Sequence, residues 1–132
     1  MGDMEKIKIQ GEASPEEGPS FSQTVTNGWR IIAVKTRVDS FNQHALMEEM
    51  RGLVAQGCNN MALDLKGNRF MSLPAIKFCV EVAEELGRRG GQFALISCPE
   101  KTKRHFEIYG SLERIKVVRT IAQLPNKETE NS

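Results

Sequence analysis

The chain has 132 residues, 39% of them apolar and 27% charged, with a formal net charge of +1. That length suits one domain around one core, and that balance suits a chain that folds in water. A charge so near zero gives no global field for DNA, RNA or an anionic membrane, and no apolar run approaches the roughly 20 residues that span a bilayer.

In chain order, residues 1–19 are expected to be a mobile arm, because Gly11 to Pro19 is rich in Gly, Pro and Glu. Within it, Lys6-Ile7-Lys8-Ile9 alternates as a short edge strand would. The opening Met1-Gly2-Asp3-Met4-Glu5-Lys6 lacks the apolar core of a signal peptide. The folded unit is expected over residues 20–124, followed by a flexible tail over 125–132.

Phe21–Thr26 and Trp29–Thr36 flank Asn27-Gly28, a pair that supplies the positive backbone dihedrals of a type I′ turn and so predicts a hairpin. Asp39 or Ser40 is placed to cap a helix whose inner face carries Phe41, Ala45, Leu46, Met50, Leu53 and Val54, and Gly57 is placed to end it. Met61-Ala62-Leu63 with Leu65 reads as a short strand covered on both faces. Ser72 is a natural N-cap for the next helix, about Leu73–Arg88, since Pro74 is tolerated only in the first turn. Its inner face is Ala75, Ile76, Cys79, Val80, Val82, Ala83 and Leu86, and Gly90 fits a left-handed cap. Gln92–Ser97 is a buried strand. Pro99 opens a helix with Phe106 and Tyr109 facing inward, closed by Gly110 with Leu112 folding back. Ile115, Val117 and Val118 form the last strand, and Ile121–Leu124 suits one more helical turn. The fold class is therefore α/β: one mixed β-sheet with a hairpin start and helices packed on it.

Chemistry-bearing patterns are few. Cys58, Cys79 and Cys98 are an odd count without a C-x-x-C pair, which reads as three reduced thiols in a cytoplasmic protein. With only His44 and His105 to join them, and neither at ligand spacing, no metal site is expected. Lys101–His105 is read as a solvated helix face, because no aromatics interleave with its charges. Gly87–Gly91 follows a helix instead of opening one, the wrong polarity for a phosphate cradle. No cofactor is implied. Asp64 ends a buried strand, where it either locks the turn or serves a ligand. Lys66, Asn68 and Arg69 lie in a strand-to-helix loop, the usual place for binding groups carried by a rigid sheet. Leu73 either anchors a partner or staples the turn. Trp29 belongs either to the core or to an exposed sheet edge, and pairing of such an edge with a second copy leaves a homodimer open.

Four stretches carry a resemblance. Val38-Asp39 looks like a Gly-x-x-Asp corner, and Leu63-Asp64-Leu65-Lys66-Gly67 like a strand ending in Asp-Leu-Ser-Gly. Arg88-Arg89-Gly90-Gly91 resembles a helix exit before an apolar strand. Tyr109-Gly110-Ser111-Leu112-Glu113-Arg114-Ile115 is similar to a Thr-Gly-Leu-x-x-Ile ending. In this order and spacing, over about residues 20–124, they resemble the STAS family, the sulfate-transporter and anti-sigma-factor-antagonist domains. The resemblance implies a STAS-like fold and a non-enzymatic, protein-binding role in bacterial signal transduction and transcription regulation. It also implies a phosphorylated turn, Asp-Ser-Ser-Gly-Leu, whose first serine is modified by a partner kinase. An ungapped match puts Ser72 on the Asp, Leu73 on that serine, Pro74 on the second serine and Ala75 on the Gly, while Ile76 keeps the apolar position. Leu73 has no hydroxyl, so binding is expected to be independent of phosphate there. A shift of one residue would make Ser72 the phosphosite.

The partner implied is an anti-sigma-type kinase or a related assembly of STAS domains. The expected binding surface is Asp39, Lys66, Asn68, Arg69, Ser72, Leu73 and Ile76, with Leu73 and Ile76 in apolar contact and the polar residues fixing register. Two alternatives stay open. One is a structural subunit of a membrane lipid-transport complex of the ABC type. The other is a small-ligand or nucleotide-binding STAS domain with a pocket near Asp64 and Ser72.

Overall fold

The hairpin sets the architecture. The structure is a computed structural model that describes residues 21–128. The expected arm, 1–19, and its short strand lie outside the described residues. Strands β1 (Gln23–Thr26) and β2 (Trp29–Ala33) pair antiparallel through Asn27-Gly28. Both turn residues are left-handed, at φ 51° and 87°, as the primed turn requires.

From β2 onward the chain alternates: α1 (Gln43–Ala55), β3 (Asn60–Asp64), α2 (Leu73–Arg88), β4 (Gln92–Ile96), α3 (Glu100–Tyr109) and β5 (Ile115–Val118). A 3-10 turn follows at Ile121–Gln123. The sheet order is sequential, β1-β2-β3-β4-β5, and β2 to β5 run parallel. The fold class expected from the sequence is thus the one found.

Sequential parallel strands with right-handed crossovers place successive helices on the same face of a sheet. The core follows that rule. Ile32, Met61, Leu63, Phe93, Leu95 and Ile115 point at the helices and pack with Leu46, Met50, Leu53, Ile76, Cys79, Leu86 and Phe106. The alternate residues face the other way. Trp29, Ile31, Ala62, Ala94 and Ile96 form a second, smaller cluster closed by Leu124, with Val118 and Ile121 at its border. Strand β3 is buried on both faces, which accounts for its unbroken apolar run.

Three expectations need correction. Phe41 is not on the inner face of α1. It lies in the turn before that helix and is 95% exposed. Tyr109 does not face inward; it is exposed at the end of α3, edge-on to His105. Beside it, Gly110 caps α3 as expected, at φ −137°, its N–H donating to Phe106 O. Glycine is needed there because a Cβ would stand 2.8 Å from Val80 Cγ2. The segment from Pro125 is not loose at its start. The indole Nε1 of buried Trp29 donates to Pro125 O at 2.7 Å, and Lys127 N–H donates to Asn27 O at 2.8 Å. Residues 125–128 therefore close the hairpin, and Trp29 is core.

Candidate functional site

The four parallel strands all end on one side of the molecule. Two of the loops that leave this side are stitched together. The first, 34–42, joins β2 to α1, and the second, 65–72, joins β3 to α2. Val38 and Met71 form a single parallel bridge between them. Val38 N–H donates to Phe70 O, and Ser72 N–H donates to Val38 O, both at 2.8 Å. These bonds extend the β2–β3 pairing beyond the strands, so the two loops behave as one rigid unit.

Each loop is also locked within itself. Asp39 Oδ1 accepts from Phe41 N–H at 3.0 Å, while Asn42 Oδ1 accepts from Asp39 N–H at 2.8 Å. Asp39 therefore caps a turn one step ahead of the helix, whose N-cap is Asn42. This extra turn is what swings Phe41 outward. Arg37 is held against Asp39 at 3.6 Å and stacks over the Phe70 ring at 4.8 Å. In the second loop, Asp64 Oδ1 accepts from Lys66 N–H at 3.1 Å, and Gly67 takes a left-handed turn at φ 86°. Asp64 thus locks its own turn.

Asn68 is only 3% exposed. Its Nδ2 donates to Thr36 O at 2.7 Å, a side-chain strut between the two loops, and its buried Oδ1 has no partner among the described residues. Ser72 caps α2: its Oγ accepts from Ala75 N–H at 3.3 Å, and it is nearly buried.

The expected surface residues therefore divide into two layers. Lys66, Arg69 and Leu73 are exposed, Leu73 at 41%, and Asp39 is partly so. Asn68, Ser72 and Ile76 lie beneath. Ile76, at 1% exposure, belongs to the main core. Its expected apolar contact with a partner is corrected on that ground, because a side chain already enclosed by the core has no surface to offer. Phe41 was not read as part of this site, and neither were Arg37 and Phe70. One signal could have found Phe41. Counting back from Leu46 at about 100° per residue puts it about 140° off the buried stripe.

The chemistry elsewhere is quiet. A cavity of about 680 Å³ opens at the ends of β4 and β5, lined by Ser97, Cys98, Glu100, Lys103, Arg119 and others. Ser97 Oγ is spent donating to Arg119 O at 2.7 Å. Burial pushes the Cys98 thiol up to about 11, so it is protonated at neutral pH and is no nucleophile. Burial likewise raises Cys58 and Cys79. Among the described residues no group of three metal-ligating side chains assembles, and no helix is long and apolar enough to cross a membrane.

The fold is thus a sequential mixed sheet with its helices on one face and, at the ends of the parallel strands, a pair of loops stitched together by backbone hydrogen bonds. The STAS domain family model matches residues 20–124, and the chain belongs to the STAS family. Among solved structures, it is similar to a candidate anti-sigma factor antagonist from Thermotoga maritima at 20% identity and a TM-score of 0.69, covering 84% of this chain and 92% of that one. An anti-sigma factor antagonist from Mycobacterium paratuberculosis is 19% identical, with a TM-score of 0.68 and coverages of 78% and 87%. The anti-sigma factor antagonist SpoIIAA of Bacillus, in its unphosphorylated form, is 13% identical, with a TM-score of 0.61 and coverages of 85% and 96%. At these identities the likeness is one of fold. No curated protein matches the chain in sequence.

Proposed function

We propose that this chain is a non-enzymatic STAS regulator that works by docking another protein on the stitched loops, without a phosphate switch at the usual turn. The single observation that carries the reading is Leu73. It opens α2 at the position where the family resemblance expects the phosphorylated serine, and it is exposed. An apolar side chain at the exposed start of a rigid helix is an anchor for a partner groove. It cannot accept phosphate. Ser72, the neighbour with a hydroxyl, uses that oxygen to cap the helix and is nearly buried, which disfavours it as a kinase target.

Phe41 adds a second apolar anchor from the other loop. Lys66 and Arg69 supply polar register around Leu73, and Asn68 serves from beneath by holding the loops together. The partner implied by the family is an anti-sigma-type kinase or a related STAS assembly.

The test is an affinity pull-down with wild type and with Leu73→Asp, followed by mass spectrometry of bait and captured proteins. A kinase-like protein bound by wild type and lost in the variant, with no phosphate on Ser72, is the expected result. Phosphate on Ser72 would show that the switch survives one residue out of register. Capture of a membrane-transport ATPase would instead make the chain a constitutive subunit of such a complex. Normal capture by a variant carrying both Leu73→Asp and Arg69→Glu would remove this surface from consideration.

A further inference from the structure

The formal charge of the whole chain is only +1, but the stitched loops do not share that balance. Lys35, Arg37, Lys66, Arg69 and, one turn into α2, Lys77 are all exposed at this end. Against these five cations stand Asp39 and Asp64, both partly buried and both accepting backbone hydrogen bonds. Lys77 lies four residues after Leu73, on the same side of the helix. The result is a basic collar on the same loops and helix start that expose two apolar knobs, Phe41 and Leu73. The near-neutral total hides it, because the rest of the chain is net acidic.

We infer that the partner presents an acidic face with apolar sockets. The inference rests on the docking surface proposed above and specifies what fits it. Charge complementarity names the sign: a like-charged or neutral face would leave the collar unpaired as it approached. Rigidity favours a folded protein over a bilayer. The two loops are bound to each other by backbone hydrogen bonds, and Arg37 is fixed by both Phe70 and Asp39. Cations and anchors held in register suit a partner whose carboxylates and pockets are also in register. A bilayer asks for no register, and Asp39, held beside Arg37, would oppose its anionic headgroups.

The experiment uses the full chain. The protein captured by wild type is purified and titrated against wild type, the double variant Lys66→Glu/Arg69→Glu, and Leu73→Asp. Vesicles of phosphatidylcholine with and without phosphatidylserine are tested in parallel. Thermal melting of each variant confirms folding, which is expected because the substituted side chains are exposed. The expected result is at least a tenfold loss of affinity in the double variant, roughly the effect of removing one well-placed charge pair. Wild-type affinity also falls as ionic strength rises from about 0.05 to 0.3 M. Reversing acidic residues on the partner's contact face to Lys restores the double variant. If Leu73→Asp loses the partner while the double variant and high salt do not, the docking surface stands and the acidic face is wrong. If both variants bind normally, the docking surface itself fails. Binding to phosphatidylserine vesicles that the double variant loses, with the protein complex unaffected, would assign the collar to a membrane instead.

Discussion

Ser72 and Leu73 are adjacent, yet one is structural and the other offers surface. The Ser72 oxygen satisfies an amide that the first turn of α2 would otherwise leave without a partner. Ser72→Ala is expected to cost about 1 kcal/mol, read as a lower melting temperature with unchanged partner binding. Leu73→Asp should do the reverse. Its side chain is already largely in water, and a carboxylate at a helix N-terminus is electrostatically favoured. Chemical denaturation should show stability within about 0.5 kcal/mol of wild type while capture of the partner is lost. Asn68 combines the two roles. Its strut to Thr36 O was not visible in a loop sequence that only marked it as polar, because nothing local says which polar loop residue turns inward.

At the scale of elements, close approach decides what glycine does. Gly91 stands where α2 hands over to β4, and a Cβ there would lie 1.7 Å from Asn59 O. That same carbonyl accepts from Gln92 N–H at 3.0 Å and starts the β3–β4 pairing. Gly91→Ala is expected to destabilise by about 3 kcal/mol through forced separation of the strand starts, measurable by urea denaturation. The sequence placed a helix exit here correctly and read Gly90 as its left-handed cap, which it is, at φ 81°. It assigned Arg88 and Arg89 to the end of their own helix. Arg88 does pair with Glu85 on α2, and Arg89 lies 4.0 Å from the same carboxylate, but Arg89 also reaches across to the neighbouring helix. Its guanidinium donates to Val54 O and Cys58 O, closing the end of α1. Helix periodicity reports which face is apolar, and it is silent on which neighbour a long cation crosses to.

At the scale of the whole molecule, the second face of the sheet is the test of the fold. With the helices all on one side, Trp29, Ile31, Ala62, Ala94 and Ile96 depend on the final segment for cover. Trp29→Phe keeps most of the apolar area but leaves Pro125 O without its donor. It is expected to cost about 2 kcal/mol and to raise hydrogen exchange at Lys127. The buried thiols set an alkaline limit. Burial raises Cys58, Cys79 and Cys98 above the ordinary thiol range, so the unfolded chain releases these protons first. Their contribution to stability is complete below about pH 9 and is lost as pH rises toward the folded values, about 11 for Cys98. Denaturation midpoints measured from pH 7 to 10.5 should fall over the upper part of that range, and less so in a Cys79→Ala background.

Element order was legible in the sequence because periods of 2 and 3.6 residues, the Asn27-Gly28 turn and the Ser72-Leu73-Pro74 helix start are local signals. The resemblance that points to the STAS family also rests on short runs in order. The two-layered nature of the site was not legible. Whether Ile76 and Asn68 face in or out depends on what packs above them, and Phe41 is displaced by a turn that Asp39 and Asn42 build together. Nor did the sequence place Pro125 and Lys127 on the hairpin, since their contacts are made about 100 residues back along the chain. By itself, then, the sequence determined the alternation of strands and helices and the loss of a hydroxyl at Leu73. Only the tertiary structure decided that one end of the sheet gathers five cations and two exposed apolar side chains, because charges distant along the chain come to one edge only when parallel strands bring their loops there.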